Sequence, residues 1–237
     1  MSAPVQPVLT DVYEGVDNLE AMQEAVNYND FLAREVAREA LPGRLIVDFG
    51  AGVGTFARPL HQRGLNIICV ENDMRLGARL KSEGMRVEPE IGALPDASID
   101  YLYSLNVLEH VEDDASCVAA WYAKLKPGAP LLLYVPAFMV LYSEMDRRIG
   151  HFRRYKRTPL VALLRQAGFR IERDTYVDSL GFFASLGLRF FDRSGGVLNP
   201  KTVRLYDRIG FPLSRLMDVF VGPFFGKNVL IRAVKPR

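Results

Sequence analysis

The chain has 237 residues, 49% of them hydrophobic and 24% charged, with a formal net charge of +2 at pH 7. That length suits one large α/β domain with a sizeable core, and so small a charge excludes nucleic-acid binding argued from bulk electrostatics alone. Two cysteines, Cys69 and Cys117, stand far apart without Cys-x-x-Cys spacing, and read as free thiols of a reducing compartment rather than as a disulfide or metal pair.

Residues 1–17 carry Pro4 and Pro7 and little periodicity, and read as a loose arm. From Asn18 an amphipathic pattern (Leu19, Met22, Val26, Leu32, Val36) predicts one helix, or two broken near Asn27–Asn29, ending at Leu41-Pro42-Gly43. A strand over 45–49 follows, then the glycine-rich turn Gly50-Ala51-Gly52-Val53-Gly54 and a helix from about Thr55 to Arg63. Further strands are expected at 66–70, 85–88, 99–104 and 131–135, with helices over 74–83 and up to Leu125, where Lys126-Pro127-Gly128 is a strong stop. Thr158-Pro159 predicts an N-cap and first helical residue, and strands are expected at 169–177 and 227–234. This alternation points to a single domain over 1–237 built on a doubly wound, mostly parallel sheet. Between the last two strands, residues 178–226 hold an aromatic-rich segment (Phe182, Phe183, Phe190, Phe191, Phe220, Phe224) too long and apolar for a hairpin loop. A helical insertion is expected there, as added core or as a lid over a pocket. No run is long and apolar enough to span a bilayer, and the N-terminus shows no secretory pattern, so a cytoplasmic protein is expected.

The turn after Asp48 lets backbone N–H groups approach a ligand without Cβ atoms in the way. A dinucleotide-binding turn would place its third glycine where Thr55 stands, which disfavours NAD. Asp48 with the glycines, Glu71 ending the next strand, Leu94-Pro95-Asp96 through Asp100, Asn106-Val107-Leu108-Glu109-His110-Val111 and Leu125-Lys126-Pro127-Gly128 follow in order. Together, over roughly residues 27–136, they resemble the class I S-adenosylmethionine-dependent methyltransferases. The resemblance implies a Rossmann-like seven-stranded sheet with an antiparallel last strand, and S-adenosylmethionine as cofactor. It implies that Asp48, Gly50, Ala51, Gly52, Gly54 and Asn106 surround the methionine part, that Glu71 accepts from the ribose hydroxyls, and that Asn72 and Glu90 lie near the adenine. It also makes Glu109 and His110 the base candidates, with Tyr28 closing over the cofactor. No metal centre is expected.

Six of the eleven residues from Arg147 to Arg157 are Arg or Lys, and His151 lies among them. The pattern Asp-x-x-x-Gly-His-x-Arg-Arg-Tyr resembles a bacterial methyltransferase subgroup. Arg forks and Lys point charges suit a phosphate or diphosphate. Expected acceptor-binding residues are therefore His151, Arg153, Arg154, Tyr155 and Lys156, with an apolar tail against Phe182, Phe183, Phe220 or Phe224. The acceptor is expected to be a prenyl diphosphate or another anionic amphiphile, methylated on carbon or oxygen, and peripheral membrane contact fits the same features. The competing readings are a nucleotide-dependent oxidoreductase and a catalytically silent methyltransferase-like binding module. Nucleic acid is disfavoured because no Asn-Pro-Pro-Tyr-like tetrapeptide is present to hold a flipped base.

Overall fold

The computed structural model describes residues 21–191 and 199–237, with the backbone only for 188–191. The arm over 1–17, Leu19 and the side chains of Phe190 and Phe191 therefore lie outside the described residues. Helix α1 (Val26–Ala37) leads into β1 (Ile46–Phe49), α2 (Ala57–Gln62), β2 (Ile67–Val70), α3 (Met74–Ser82) and β3 (Arg86–Glu88). Then come β4 (Tyr101–Leu105), α4 (Asp114–Lys124), β5 (Pro130–Pro136), the short α5 (Glu144–Arg148), α6 (Arg157–Gln166) and β6 (Arg170–Val177). The segment before β7 (Asn228–Val234) holds α7 (Ser179–Phe191), α8 (Pro200–Leu205), a π-helical turn at Tyr206–Gly210 and α9 (Phe211–Val221).

The seven strands form one sheet in the order β3-β2-β1-β4-β5-β7-β6, with β7 antiparallel to both its neighbours. The doubly wound sheet with an antiparallel last strand and a helical apolar insertion is thus as expected. Successive strand residues point to opposite faces, so the sheet makes two cores. Val47, Leu102, Leu131 and Leu133 pack with Trp121 and Leu164 on one side. Ile46, Ile67, Tyr101, Tyr103 and Tyr134 pack with Leu32, Val36, Leu60 and Leu80 on the other. Cys69 is buried and Cys117 half-buried, and both are free thiols.

Local chemistry sets the element ends. The Asp73 carboxylate caps α3 by accepting from the Arg75 and Leu76 N–H groups at 2.8 and 3.0 Å, and Asp113 caps α4 through the Ser116 N–H at 3.0 Å. The helix expected to have Thr158 as N-cap and Pro159 as its first residue begins two residues earlier, at Arg157. Its N-cap is Lys156, which makes no side-chain cap bond, and the Arg157 N–H instead donates to the Tyr176 hydroxyl at 3.0 Å. The break in the N-terminal helix falls at residues 24–25 rather than at Asn27–Asn29, because the start of α1 is held from across the chain. Asp207 accepts from the Asn27 N–H at 2.8 Å and the Tyr28 N–H at 2.9 Å. Asp218 does the same for α7, accepting from the Asp178 and Ser179 N–H groups at 2.8 and 2.9 Å. Two carboxylates from the insertion therefore satisfy N–H groups at two other helix starts, where the helix dipole also favours negative charge.

Candidate active site

Strands β1 and β4 lie side by side, but the chain leaves them toward opposite edges of the sheet. The crevice outside their C-terminal ends is where open α/β sheets bind ligands. It opens into a cavity of about 2490 Å³ reaching from the glycine turn to α7 and α8. A single small-molecule pocket takes roughly 300–1,000 Å³, so there is room for two ligands.

At one end, Gly50 and Gly52 adopt φ of 81° and 55°, values that L side chains rarely hold. A Cβ on Gly50 would stand 2.3 Å from Cγ2 of Val107, so the turn approaches the segment after β4 as closely as only glycine allows. Glu71 fixes the turn by accepting from the Gly52 N–H at 2.6 Å and the Asp73 N–H at 2.9 Å. A carboxylate has about four acceptor positions, which leaves capacity for ligand hydroxyls. Burial pushes the Asp48 carboxyl up to about 7, opposed by the neighbouring Tyr103 hydroxyl. Asn106 sits at φ 56° and donates to the Tyr28 hydroxyl at 3.3 Å, and burial raises that phenol to about 12. Asp48, Gly50, Ala51, Gly52, Glu71, Asn72, Glu90, Asn106 and Tyr28 all line the cavity. Gly54 is outside the lining. Its φ is 80°, and an added Cβ would meet Cδ2 of Leu80 at 2.7 Å, so this glycine serves packing against α3.

At the other end the basic cluster divides. Arg154 is buried and forms a fork on Asp146, Nε to Oδ1 at 2.8 Å and Nη2 to Oδ2 at 2.9 Å. Asp146 is fully buried and also takes Nδ1 of His151 at 2.7 Å and the Ser143 N–H at 2.8 Å. Against the cost of burial, the bonds from His151 and Arg154 hold the Asp146 carboxyl well below its ordinary value. His151 and Arg154 line the cavity, whereas Arg153, Tyr155 and Lys156 do not. Arg153 pairs with Asp114 at 2.9 Å, the buried Tyr155 donates to Asp114 at 3.0 Å, and Lys156 is exposed. Of the four aromatics expected along an acceptor tail, only Phe183 lines the cavity, and Phe220 and Phe224 face outward.

Glu109 is wholly buried, and neither carboxylate oxygen has a hydrogen-bond partner. Nε2 of His151 lies 3.7 Å from its Oε1. Burial pushes the Glu109 carboxyl up to about 8, and burial together with the His151 ring pushes His110 down to about 3. Both are therefore neutral near pH 7. A raised carboxyl binds its proton more tightly in the folded chain than in the unfolded one. The stability this lends is complete below the ordinary carboxylate value and lost as pH rises through about 8. Glu109→Gln is therefore expected to stabilise the fold by about 1–3 kcal/mol at about pH 9 and to change little near pH 4, read from urea unfolding. A pH-independent difference would place Glu109 in a more polar setting.

Sequence reasoning missed two residues here. Asp146 was visible as the first residue of its motif, but nothing marked it as the hub of the cluster. Lys227 precedes β7, lines the cavity, and is pushed below its ordinary value by burial, with Asp178, Arg154 and Asp146 near enough to act on it. Its sequence context gives no signal. Glu109, His110 and His151 also each offer a ligand atom within 4.8 Å of the others, a set able to hold a divalent cation.

Residues 19–173 match a family model described as a methyltransferase domain. Over 162 residues the chain is 30% identical to a probable S-adenosylmethionine-dependent methyltransferase of Mycolicibacterium smegmatis, a match covering 65% of this chain and 61% of the relative. Over 105 residues it is 29% identical to a ubiquinone biosynthesis O-methyltransferase of Hahella chejuensis, covering 40% of this chain and 44% of the relative. The chain thus spans between two fifths and two thirds of these relatives' length. Among solved structures, a SAM-dependent methyltransferase from Archaeoglobus fulgidus shares the fold with a TM-score of 0.63 at 16% identity, covering 92% of this chain and 99% of that one.

Proposed function

The chain belongs to the methyltransferase-domain family, and from that we propose that it uses S-adenosylmethionine to methylate a hydroxyl of an amphiphilic acceptor carrying an anionic group. One observation carries the oxygen acceptor: a histidine, His151, oriented inside the cavity by a buried carboxylate, Asp146, at 2.7 Å. The cofactor residues fit their group, since Gly50 and Gly52 line the cavity at positive φ with no Cβ to stand between backbone and ligand, and Glu71 keeps free acceptor capacity. When bound there, the cofactor supplies a methyl group already activated on a sulfonium.

The chain's own residues do the rest. With Nδ1–H donated to Asp146, Nε2 of His151 is the atom that takes the proton as the acceptor oxygen gains the methyl carbon. His110, held neutral with its value at about 3, is a poor base, and Glu109 at about 8 stands protonated and able to donate. Arg154, whose Nη1 is buried without a partner, Lys227 and the exposed Arg148 line the cavity and offer cations to the acceptor's anionic group. These replace Arg153 and Lys156 in that role. The Hahella chejuensis relative is by name an O-methyltransferase, which agrees with an oxygen acceptor.

S-adenosylhomocysteine should raise the melting temperature by mass action, and NAD should not; stabilisation by NAD alone would sink the cofactor reading. Turnover would then be followed on phenols bearing a carboxylate or phosphate, with and without an alkyl tail. His151→Gln is expected to lower it about 10²–10⁴-fold while leaving S-adenosylhomocysteine affinity unchanged. A variant at full rate would remove His151 as base. A second reading rests on the Glu109, His110 and His151 donors lying within 4.8 Å of one another: these three hold a divalent cation that polarises the same hydroxyl. Under it, chelation abolishes turnover and added zinc or magnesium restores it, whereas the base reading expects no effect.

A further inference from the structure

Helix α8, the π turn and α9 run on without a break, and the outward side of this rod is apolar. Leu205, Ile209, Leu213 and Leu216 are 63%, 62%, 50% and 65% exposed, and Phe220 and Phe224 76% and 74%. Steps of three and four residues put Leu205 to Phe220 in one stripe, which at helical rise spans about 22 Å, and Phe224 follows in the turn after α9. Soluble surfaces seldom carry so long a continuous apolar band without a partner. Lys201 and Arg208 are exposed on the same rod, and Arg204 between them pairs with Glu24 at 3.2 Å. Its two carboxylates, Asp207 and Asp218, are 4% and 8% exposed and spent on the N–H groups at the starts of α1 and α7. The exposed surface of the rod therefore offers large apolar side chains and cations, with no exposed acid.

We propose that this rod is a docking surface for an anionic lipid bilayer, lying in the interfacial plane with its apolar stripe among the acyl chains and its cations at the headgroups. Cations flanking a one-sided apolar helix match the charge of an anionic leaflet. Among the described residues no helix is long and apolar enough to cross a membrane, so the contact is peripheral. The rod is fixed to the domain by Asp207 and Asp218, so docking fixes the cavity's orientation as well. Thr202, Val203 and Tyr206 line the cavity from the same rod, which brings its mouth to the bilayer. The proposal stands on this surface and does not need the acceptor reading.

The test is co-sedimentation of the full chain with vesicles of phosphatidylcholine alone or mixed with phosphatidylglycerol. Binding is expected to the mixed vesicles and to weaken with salt. Leu216→Asp with Phe220→Asp is expected to lower partitioning about a hundredfold, with unchanged melting temperature and S-adenosylhomocysteine affinity. Lys201→Glu with Arg208→Glu should remove the preference for anionic lipid. Wild-type chain that stays in the supernatant at low salt would overturn the proposal, as would an apolar double variant that pellets like wild type. So would sedimentation equilibrium showing a dimer that the apolar variant dissociates, with no vesicle binding.

Discussion

Asp146→Ala is expected to destabilise the fold by about 3–5 kcal/mol, because it leaves the Arg154 guanidinium buried without its counter-charge. The same change frees the His151 ring, so turnover should fall further than stability alone explains. The carboxylate holds the His151 ring, the Arg154 guanidinium and the start of α5 at once, with bonds of 2.7–2.9 Å to His151, Arg154 and Ser143. The structural and positioning roles separate in a double variant. Asp146→Leu with Arg154→Met replaces the pair by apolar groups of similar size and is expected to recover most of the stability while remaining inactive. Denaturant unfolding gives the first quantity and single-turnover methyl transfer the second. An Asp146→Ala chain as stable as wild type would mean that Arg154 finds water or another acceptor. An active double variant would remove the Asp146–His151 pair from the chemistry.

The two ends of the cavity differ in how far the sequence reveals them, and the reason is the range of the interactions. Asp48, the glycine turn and Glu71 are set by a strand, a turn and the next strand, all short-range features, and the structure brings them together: the Gly52 N–H bonds Glu71 across 19 residues. The acceptor end depends on which partner each side chain finds. Residues 153–156 look like one basic patch, but the backbone there is extended and Tyr155 bridges Ala137 in parallel. Alternate residues of such a segment point opposite ways. Arg153 and Tyr155 turn together to Asp114, and Arg154 turns the other way to Asp146. Parity decides which arginine enters the cavity, and parity is set by pairing with β5 rather than by composition.

The insertion teaches the same lesson with the sign reversed. Its aromatic residues read as cover for a pocket because apolar faces ordinarily turn inward. Here the inward side is taken by Asp207 and Asp218, whose burial is compensated by backbone N–H groups of helices far away in sequence. With the acids inside, Phe220 and Phe224 are left outside. Helical periodicity marks the stripe, but only the position of those N–H groups says which way it faces. One consequence joins site and surface: Asp207 holds the first turn of α1, from which Tyr28 reaches Asn106 at 3.3 Å. Displacing the rod would therefore disturb the cover over the glycine turn before it disturbed the sheet.

Gly50→Ala is expected to cost about 2–4 kcal/mol of stability and to abolish cofactor binding. Two separate terms make up that cost. A left-handed φ of 81° is unfavourable for any L residue by about 1 kcal/mol, and the new Cβ would lie 2.3 and 2.7 Å from the two γ-methyls of Val107. Valine cannot swing away, since its branched Cβ allows few rotamers. Relief must come from a shift of the turn or of the segment after β4, and either moves the backbone that the cofactor approaches. The second term is removable. Val107→Ala deletes both methyls, so Gly50→Ala with Val107→Ala should recover about half of the stability and measurable S-adenosylhomocysteine affinity by calorimetry. Gly52→Val gives the contrasting case. Here φ is 55°, and the N–H already donates to Glu71 at 2.6 Å, so binding should be lost with a smaller loss of stability. If Gly50→Ala binds the cofactor like wild type, or if Val107→Ala brings no recovery, the close approach of β1's turn to the segment after β4 is not what shapes this end of the cavity.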